Sequence, residues 1–188
     1  MLKMLTVGID EVGRGCWAGP LVAGAVLLAK PIPGLRDSKK LSKKQRELLT
    51  MQIEQSALGI GIGWVAAKEV DDIGLTAAVR LAMARALEQI TARYDEIIID
   101  GSFNFFPDNP KASALVKADD LVPAVSAASI VAKVARDNYM TELAVEFPEY
   151  GFEKHVGYGT AVHLAALRAH GVTEHQRKSY KPIAALLQ

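Results

Sequence analysis

The chain has little or nothing of several features that would identify its class of protein. It has a single cysteine, Cys16, among 188 residues, which excludes an intrachain disulfide and any zinc site built from several cysteines. Its apolar runs fall well short of the roughly 20 residues that a membrane-spanning helix needs. It also lacks an excess of charge of one sign. Its 22 Lys and Arg against 21 Asp and Glu leave a formal net charge of +1, which argues neither for nor against nucleic acid.

What the chain does have is the composition of a folded domain. Half of its residues are hydrophobic and 23% are charged, which excludes a disordered chain. The apolar stretch after Lys3 is too short for a signal peptide. We therefore expect a soluble cytoplasmic protein that makes no contact with a membrane.

Two adjacent carboxylates, Asp10 and Glu11, end the first apolar stretch. Large and small residues alternate before them, which predicts a buried strand that puts Asp10 on its less crowded face together with Gly8. A charge at the end of such a strand costs free energy unless a cation or hydrogen bonds compensate for it. The pair therefore favours a divalent metal, although a surface turn with solvated charges explains the same residues.

A glycine-flanked arginine follows the two acids. Gly13 and Gly15 lack Cβ, so the backbone there can adopt unusual dihedral angles and approach a ligand closely. Arg14 between them can meet a phosphate. The stretch is typical of a metal-and-phosphate site.

Hydrophobic periodicity predicts an alternation of strands and helices. Strands are predicted over 21–29, 58–66, 97–100 and 114–117, and helices over 43–56, through 79–90 and over 123–146. Ser42 and Gln45 form a capping-box pattern at the start of the first helix. We divide the chain into an α/β core, 1–147, and a helical extension, 148–188, that packs on the core and contributes to substrate binding.

Further carboxylates stand at the ends of predicted elements. Asp100 ends a triple-isoleucine strand, where open α/β sheets place their ligand sites, although it would serve equally as a turn cap. Asp119 and Asp120 precede the helix that begins at Pro123. Carboxylates without a cysteine cluster suggest oxygen ligation of Mg²⁺ or Mn²⁺, which is the chemistry of two-metal phosphodiester cleavage.

Other residues are given ordinary roles. The four histidines lack the spacing of a metal site, so surface or substrate-facing positions are expected for them. Cys16 is expected to be a small buried hydrophobe.

Five motifs, taken in order, resemble those of bacterial ribonuclease HII. They are Asp10-Glu11-Val12-Gly13-Arg14-Gly15, Asp37-Ser38-Lys39-Lys40-Leu41-Ser42, Ile99-Asp100-Gly101, Val122-Pro123 with 126–133, and His155 with Gly157-Tyr158-Gly159-Thr160. They run from residue 5 to about 183, nearly the whole chain. The resemblance implies an RNase H-like fold in the α/β class, with a mixed central sheet flanked by helices and a C-terminal helical extension.

The resemblance also implies an activity. It is endonucleolytic cleavage of the RNA strand of RNA–DNA hybrids, with nicking 5′ of single ribonucleotides embedded in duplex DNA. Two divalent cations, Mg²⁺ or Mn²⁺, would take part, and the products would carry 5′-phosphate and 3′-hydroxyl ends. The expected partners are the hybrid and ribonucleotide-containing duplex DNA, and a monomer is sufficient. Recruitment by a sliding clamp stays open.

The same resemblance suggests residue roles. The acids that look like catalytic metal ligands are Asp10, Glu11, Asp100 and Asp119. The spacing from Lys117 to Pro123 selects Asp119, but Asp120 stands where many family members have serine, and it could share or disturb the role. The residues that look like readers of the ribose are Gly13, Arg14, Gly15 and Tyr158.

Basic residues are expected to hold the nucleic-acid backbone. Lys39 and Lys40 lie in a predicted loop before the capped helix, and a second group near the C-terminus contains Arg177, Lys178 and Lys181. Together they could track phosphates. Lys133 is expected to approach the acids or the substrate, or to pair with Asp137 at i+4.

Two rival interpretations remain from the sequence. The first is ribonuclease HIII or another nuclease on the same fold, such as a junction resolvase. Arg14 between its glycines, and the lack of an added N-terminal domain, favour type HII. The second is a hybrid-binding protein without catalysis, which the intact carboxylate set disfavours.

Overall fold

The computed structural model describes residues 4–188. Its strands are β1 Thr6–Val12, β2 Leu21–Leu28, β3 Ala57–Val65, β4 Glu96–Asp100 and β5 Ala112–Leu115. Its α-helices are α1 Lys43–Ser56, α2 Ala67–Ile73, α3 Leu75–Leu87, α4 Ala118–Leu121, α5 Pro123–Glu146, α6 Phe152–His155, α7 Ala161–His170 and α8 Lys181–Ala184, with 3₁₀ turns at Ser38–Lys40 and Pro148–Tyr150.

The strands form one sheet in the order β3-β2-β1-β4-β5. β2 runs antiparallel to β1 and β3, whereas β1, β4 and β5 are parallel. The predicted mixed sheet flanked by helices is therefore confirmed. Because Ile9 pairs with Ile99 across β1 and β4, the next residues, Asp10 and Asp100, lie side by side where the pairing of β1 with β4 ends.

Glycines set how closely the helices approach the sheet. A methyl group at Gly8 would stand 2.1 Å from the carbonyl carbon of Ala124 in α5, and one at Gly63 would stand 1.9 Å from the carbonyl oxygen of Ala82 in α3. The expectation that Asp10 lies on a less crowded face is wrong. That face holds small residues because the backbone of α5 lies directly on it, and Asp10 is buried as a result.

The apolar core is split between the two faces of the sheet. Large residues of β1, such as Val7 and Ile9, pack with Val79 and Met83 of α3. On the other face, Val26 packs against the first half of α5 and against α1. This division follows from the period of two in the strands.

Residues 148–188, the proposed extension, pack against the second half of α5. Tyr150, Phe152 and Ile183 share an apolar cluster with Met140. A β-bridge between Ala18 and Gln176 joins this segment to the loop that follows β1. The extension thus reaches the same edge of the sheet as Asp10.

Several elements differ from the predictions: α4 was not predicted, and the helix predicted through 79–90 ends at Leu87. The strand predicted over 114–117 ends at Leu115, because Lys117 takes a left-handed conformation (φ 60°) that turns the chain into α4. α2 was not predicted, since its N-cap residue is Ala66, which lacks a capping side chain. In contrast, the predicted capping box of α1 is present. Within residues 4–188, no helix is long and apolar enough to cross a bilayer.

Candidate metal and nucleic-acid site

Three of the predicted acids converge at one edge of the sheet. Asp10 comes from β1, Asp100 ends β4 and Asp119 lies in the first turn of α4. Carboxylate oxygens of the three residues lie within 4.8 Å of one another. Side chains that are as far apart as 109 positions in the sequence thus form one cluster.

The backbone around Asp100 explains why Asp119 joins the cluster. An Asp100 carboxylate oxygen accepts hydrogen bonds from the backbone N–H groups of Ala118 at 2.8 Å and Asp119 at 3.4 Å. These bonds tie the start of α4 to the end of β4. The side chain of Ser126 in α5 anchors the same turn by donating to the carbonyl of Asp119 at 2.6 Å.

The environment of Asp10 disfavours its negative charge. Burial raises the pKa of Asp10 well above its ordinary value, and the neighbouring charges of Glu11 and Asp100 act in the same direction. Hydrogen bonds from the Ser129 side chain and from the backbone N–H of Glu11 oppose this rise without cancelling it. Burial likewise raises the pKa of Asp119, with the charge of Asp100 adding to it.

The cluster fits a divalent cation. Among residues 4–188, none of its three carboxylates takes part in an ion pair within 4.0 Å. Like charges held together in a buried position are stabilised when a cation binds between them. Because all the donors are carboxylate oxygens, they suit Mg²⁺ or Mn²⁺.

Lys39, in the Ser38–Lys40 turn, is close enough to the cluster to feel its charges. Partial desolvation acts against its charge, but nearby carboxylates raise the pKa of Lys39 above its ordinary value. Those carboxylates belong to Asp37, Asp10, Asp119 and Asp100. The Lys39 ammonium also lies 3.9 Å from an Asp37 carboxylate oxygen.

Glu11 and Asp120 lie beside the cluster and make other contacts. The Glu11 carboxylate pairs with Arg14 at 3.1 Å, and burial raises the pKa of Glu11. Asp120 pairs with Lys40, whose hydrogen bond lowers the pKa of Asp120. The ambiguity between the two adjacent aspartates is thus resolved in position: Asp119 faces the other acids and Asp120 faces Lys40.

The predicted ribose readers also come together. Gly13 has a left-handed φ of 93°, and a Cβ on Gly15 would lie 3.9 Å from the Tyr158 ring. The Tyr158 side chain is 44% exposed. Arg14, Gly15 and Tyr158 are therefore exposed together next to Glu11, whereas Gly13 is buried beneath them.

Arg177 does not track phosphates, so that expectation is wrong. Its guanidinium is fully buried and donates to the carbonyls of Gly13 at 2.7 Å, Arg14 at 3.2 Å and Gly19 at 3.0 Å. The Tyr180 hydroxyl also donates to the Arg14 carbonyl, at 2.6 Å. Arg177 thus holds the glycine loop in place from the extension.

Arg136 of α5 has a similar role that the sequence did not reveal. It is fully buried and donates to the carbonyls of Ala18 at 3.0 Å, Pro20 at 2.8 Å and Val156 at 2.8 Å. Its position seven residues after Ser129, on the same helix face, was the available signal.

Lys133 pairs with Asp137 at 2.7 Å, one of the two alternatives predicted for it.

Two histidines also differ from expectation. His155 and His163 are buried instead of being on the surface or facing a substrate. Cys16 is buried as predicted, and burial raises the pKa of its thiol.

Comparison with known proteins agrees with this geometry. Residues 7–183 match the family model for Ribonuclease HII. The chain is 45% identical over 183 residues to a Ribonuclease HII of Geobacillus sp. (strain WCH70), a match that covers 96% of this chain and 65% of that protein. It is 46% identical over 183 residues to that of Shewanella halifaxensis, with 96% and 89% covered.

Solved structures show the same fold. Ribonuclease H2 from Pyrococcus horikoshii OT3 superposes with a TM-score of 0.83 at 26% identity, covering 97% of each chain. Bst-RNase HIII, solved in complex with Mn²⁺, superposes with a TM-score of 0.76 at 21% identity, covering 98% of this chain and 69% of that one. The family match, the relatives and the carboxylate cluster together identify the chain as a member of the ribonuclease HII family, with the RNase H fold and the activity of a metal-dependent ribonuclease H.

Proposed function

We propose that this chain cleaves the RNA strand of RNA–DNA hybrids and nicks duplex DNA 5′ of single embedded ribonucleotides. The products carry 5′-phosphate and 3′-hydroxyl ends. One observation carries the proposal: the carboxylate cluster stands on the same strand end as Glu11, which pairs with Arg14 of an exposed surface made of Arg14, Gly15 and Tyr158. A metal site and a surface for recognising the ribose would then lie at one edge of the sheet.

The acids of the cluster would hold the metal ions. Asp10, Asp100 and Asp119 present oxygens toward one another, and Glu11 adjoins them and joins the set when its pairing with Arg14 opens. Bound Mg²⁺ or Mn²⁺, two ions during catalysis, would supply an activated water and stabilise the charge on the departing 3′ oxygen. The protein contributes prearranged oxygens at a buried position, so little rearrangement is needed at the moment of reaction.

Recognition of the ribose would fall to the glycine loop and Tyr158. The 2′-hydroxyl is what distinguishes RNA from DNA at a given site. Arg14 and Gly15 are the exposed residues of this loop and would approach it, while Gly13 lies buried behind them. Arg177 holds the loop by donating to the carbonyls of Gly13 and Arg14. The Tyr158 ring covers the neighbouring sugar.

Lys39 and Lys40 would bind the nucleic-acid backbone near the cluster. Lys39 carries a positive charge that faces the acids, and Lys40 is exposed and held by Asp120. Contacts of this kind release counterions, so affinity should fall as salt rises.

We infer that the protein acts as a monomer in the cytoplasm, in ribonucleotide removal and RNA primer processing. The support is that residues from one chain supply the acids, the glycine loop and Tyr158. Recruitment by a sliding clamp is a separate question, which a binding assay with the clamp answers.

The test uses three labelled duplexes of the same sequence. One is an RNA–DNA hybrid, one carries a single ribonucleotide and one is all DNA. With Mg²⁺ or Mn²⁺, the hybrid should be cut, the second duplex should be nicked once on the 5′ side of the ribonucleotide, and the DNA should stay intact. Equal cutting of the all-DNA duplex, or 3′-phosphate ends, contradicts the proposal.

A further inference from the structure

The loop that carries Tyr158 is held by two stacked histidines. The rings of His155 and His163 lie 4.6 Å apart between centroids with an interplanar angle of 14°. His163 is fully buried and His155 nearly so. Phe152 packs edge-on against both rings, at 5.9 Å and 5.6 Å.

Each imidazole makes a hydrogen bond that ends in the loop. His163 Nδ1 lies 3.0 Å from the carbonyl oxygen of Tyr158, and His155 Nδ1 lies 3.2 Å from the backbone nitrogen of Gly157. A carbonyl only accepts and an N–H only donates. His163 must therefore donate through Nδ1, and His155 must accept through Nδ1.

These contacts fix both rings in neutral and opposite tautomers. His155 carries its proton on Nε2, which lies 2.8 Å from the carbonyl of Tyr150. Nε2 of His163 is buried with no partner in the described part of the chain, so a proton there would be unsatisfied. Burial accordingly lowers the pKa of His163 to about 4.

The rest of the loop is equally constrained. The Gly157 carbonyl accepts from the backbone N–H of Trp17 at 2.8 Å, and a Cβ on Gly159 would lie 2.0 Å from the Trp17 ring. Tyr158 itself lies with its ring beside Gly15. A small shift of the Tyr158 backbone therefore changes the width of the surface between the ring and the glycine loop.

We propose that His163, supported by the stacked ring of His155, is a positioning residue that sets the Tyr158 ring against Gly15 and thereby determines discrimination for the ribonucleotide. The inference rests on the proposed function, because it assigns Tyr158 to the ribose. Two properties of His163 are needed together: an in-plane donor for the Tyr158 carbonyl, and a flat face for His155.

Two substitutions separate these properties. His163→Phe keeps a flat ring and removes the donor, whereas His163→Asn keeps a donor near the Nδ1 position and removes the ring. His170→Phe is the matched control, because His170 is an exposed histidine of the same helix. Thermal melting and Mn²⁺ binding by calorimetry check that the fold and the carboxylate cluster are intact.

The measurement is kcat/KM on the single-ribonucleotide duplex. His163→Phe should lose roughly five- to tenfold, as expected for one hydrogen bond, and His163→Asn should recover most of the loss. In a Tyr158→Ala background, His163→Phe should have no further effect, because the residue acts through Tyr158. Additive losses, or a His163→Phe enzyme equal to His170→Phe, overturn the inference.

Two further readouts separate the remaining outcomes. A wild-type protein that does not nick overturns the proposed function and this inference with it. A nicking enzyme with a silent Tyr158→Ala leaves the cleavage activity standing, but overturns the role of Tyr158 in ribose recognition and this inference. If His163→Phe fails to fold, the imidazole ¹⁵N chemical shifts of the wild-type protein, measured by NMR, test the inference instead. They should show Nδ1–H for His163 and Nε2–H for His155, and any other tautomer pair overturns the inference.

Discussion

At the residue scale, the charges of the metal site are unfavourable to the folded protein when no metal is bound. Asp10 is buried next to Glu11 and Asp100, and its charged form is disfavoured by burial first and by like charges second. The same arrangement that suits a divalent cation therefore destabilises the metal-free protein. Stability has been given up for function at this position.

Asp10→Asn should raise the melting temperature of the metal-free protein while it lowers the nicking rate by about 10²–10³. Relief of one buried like charge is worth about 1–3 kcal/mol, and each kcal/mol shifts Tm by roughly 2–4 °C at this chain length. Melting curves in EDTA at pH 7.5 measure the gain. Asp120→Asn is the control, since Asp120 is paired with Lys40 and should give no rise in Tm.

The gain in melting temperature from Asp10→Asn should be larger at high pH than at low pH. The folded-state pKa of Asp10 is raised, so the folded protein binds this proton more tightly than the unfolded chain does. The contribution of Asp10 to the free energy of unfolding therefore falls as pH rises above the pKa that Asp10 has in the unfolded chain. As pH falls, Asp10 is protonated and the cost of its buried charge is relieved. The Tm difference between Asp10→Asn and wild type should shrink from pH 8 to pH 5. A difference that grows on acidification contradicts this account of Asp10.

At the scale of elements, glycines decide where helices meet the sheet. Gly63→Ala should destabilise the protein by about 1–3 kcal/mol or more, because the added methyl group overlaps the backbone of α3 at Ala82. Gly59→Ala in the same strand should cost much less, since the nearest atom to its methyl group would be in the Ile90 side chain, at 3.3 Å. Urea unfolding of both variants checks the prediction. Equal destabilisation would mean that α3 adjusts freely.

The elements also show which features the sequence could predict. The capping box at Ser42 and the proline at Pro123 fixed two helices because their signals are local. The strand predicted over 114–117 lies instead at Ala112–Leu115. The left-handed turn at Lys117 that follows it was not predictable, because that position is not a glycine. Local signals place elements, but they do not show which turns another part of the chain imposes.

The site followed the same rule. Asp10 and Asp100 were predictable because each follows a run of apolar residues, and the parallel pairing of β1 with β4 brings them to one edge. Arg177 was misjudged and Arg136 was missed, because a buried arginine that binds carbonyls looks in sequence like a solvated one. Only the path of the chain shows that loop carbonyls, not phosphates, are their partners.

At the scale of the whole molecule, the extension and the core share the site. Arg177 holds Gly13 from the extension, while Arg136 of the core holds Val156 in return. Apolar contacts of Tyr150 and Phe152 with Met140 join the two parts further. The proposed division at 147/148 therefore separates segments that are closely interdependent in the folded protein.

Removal of residues 148–188 should abolish nicking even though all four predicted metal ligands remain. The buried guanidinium of Arg136 would lose a carbonyl partner, and Met140 would lose its apolar cover. We expect an early, broad thermal transition and strong binding of a hydrophobic dye. A truncated chain that melts cooperatively near the wild-type temperature and still nicks would show that the extension is dispensable.

The carboxylate cluster is the centre of the account, and the rate of nicking of the single-ribonucleotide duplex tests it most directly. Asp10→Asn and Asp119→Asn should each lower that rate by about 10²–10³, as loss of one prearranged charge commonly does. Asp120→Asn should stay close to wild type, because Asp120 faces Lys40 and not the cluster. Full activity in Asp10→Asn, or a larger loss in Asp120→Asn than in Asp119→Asn, would contradict the assignment of the site.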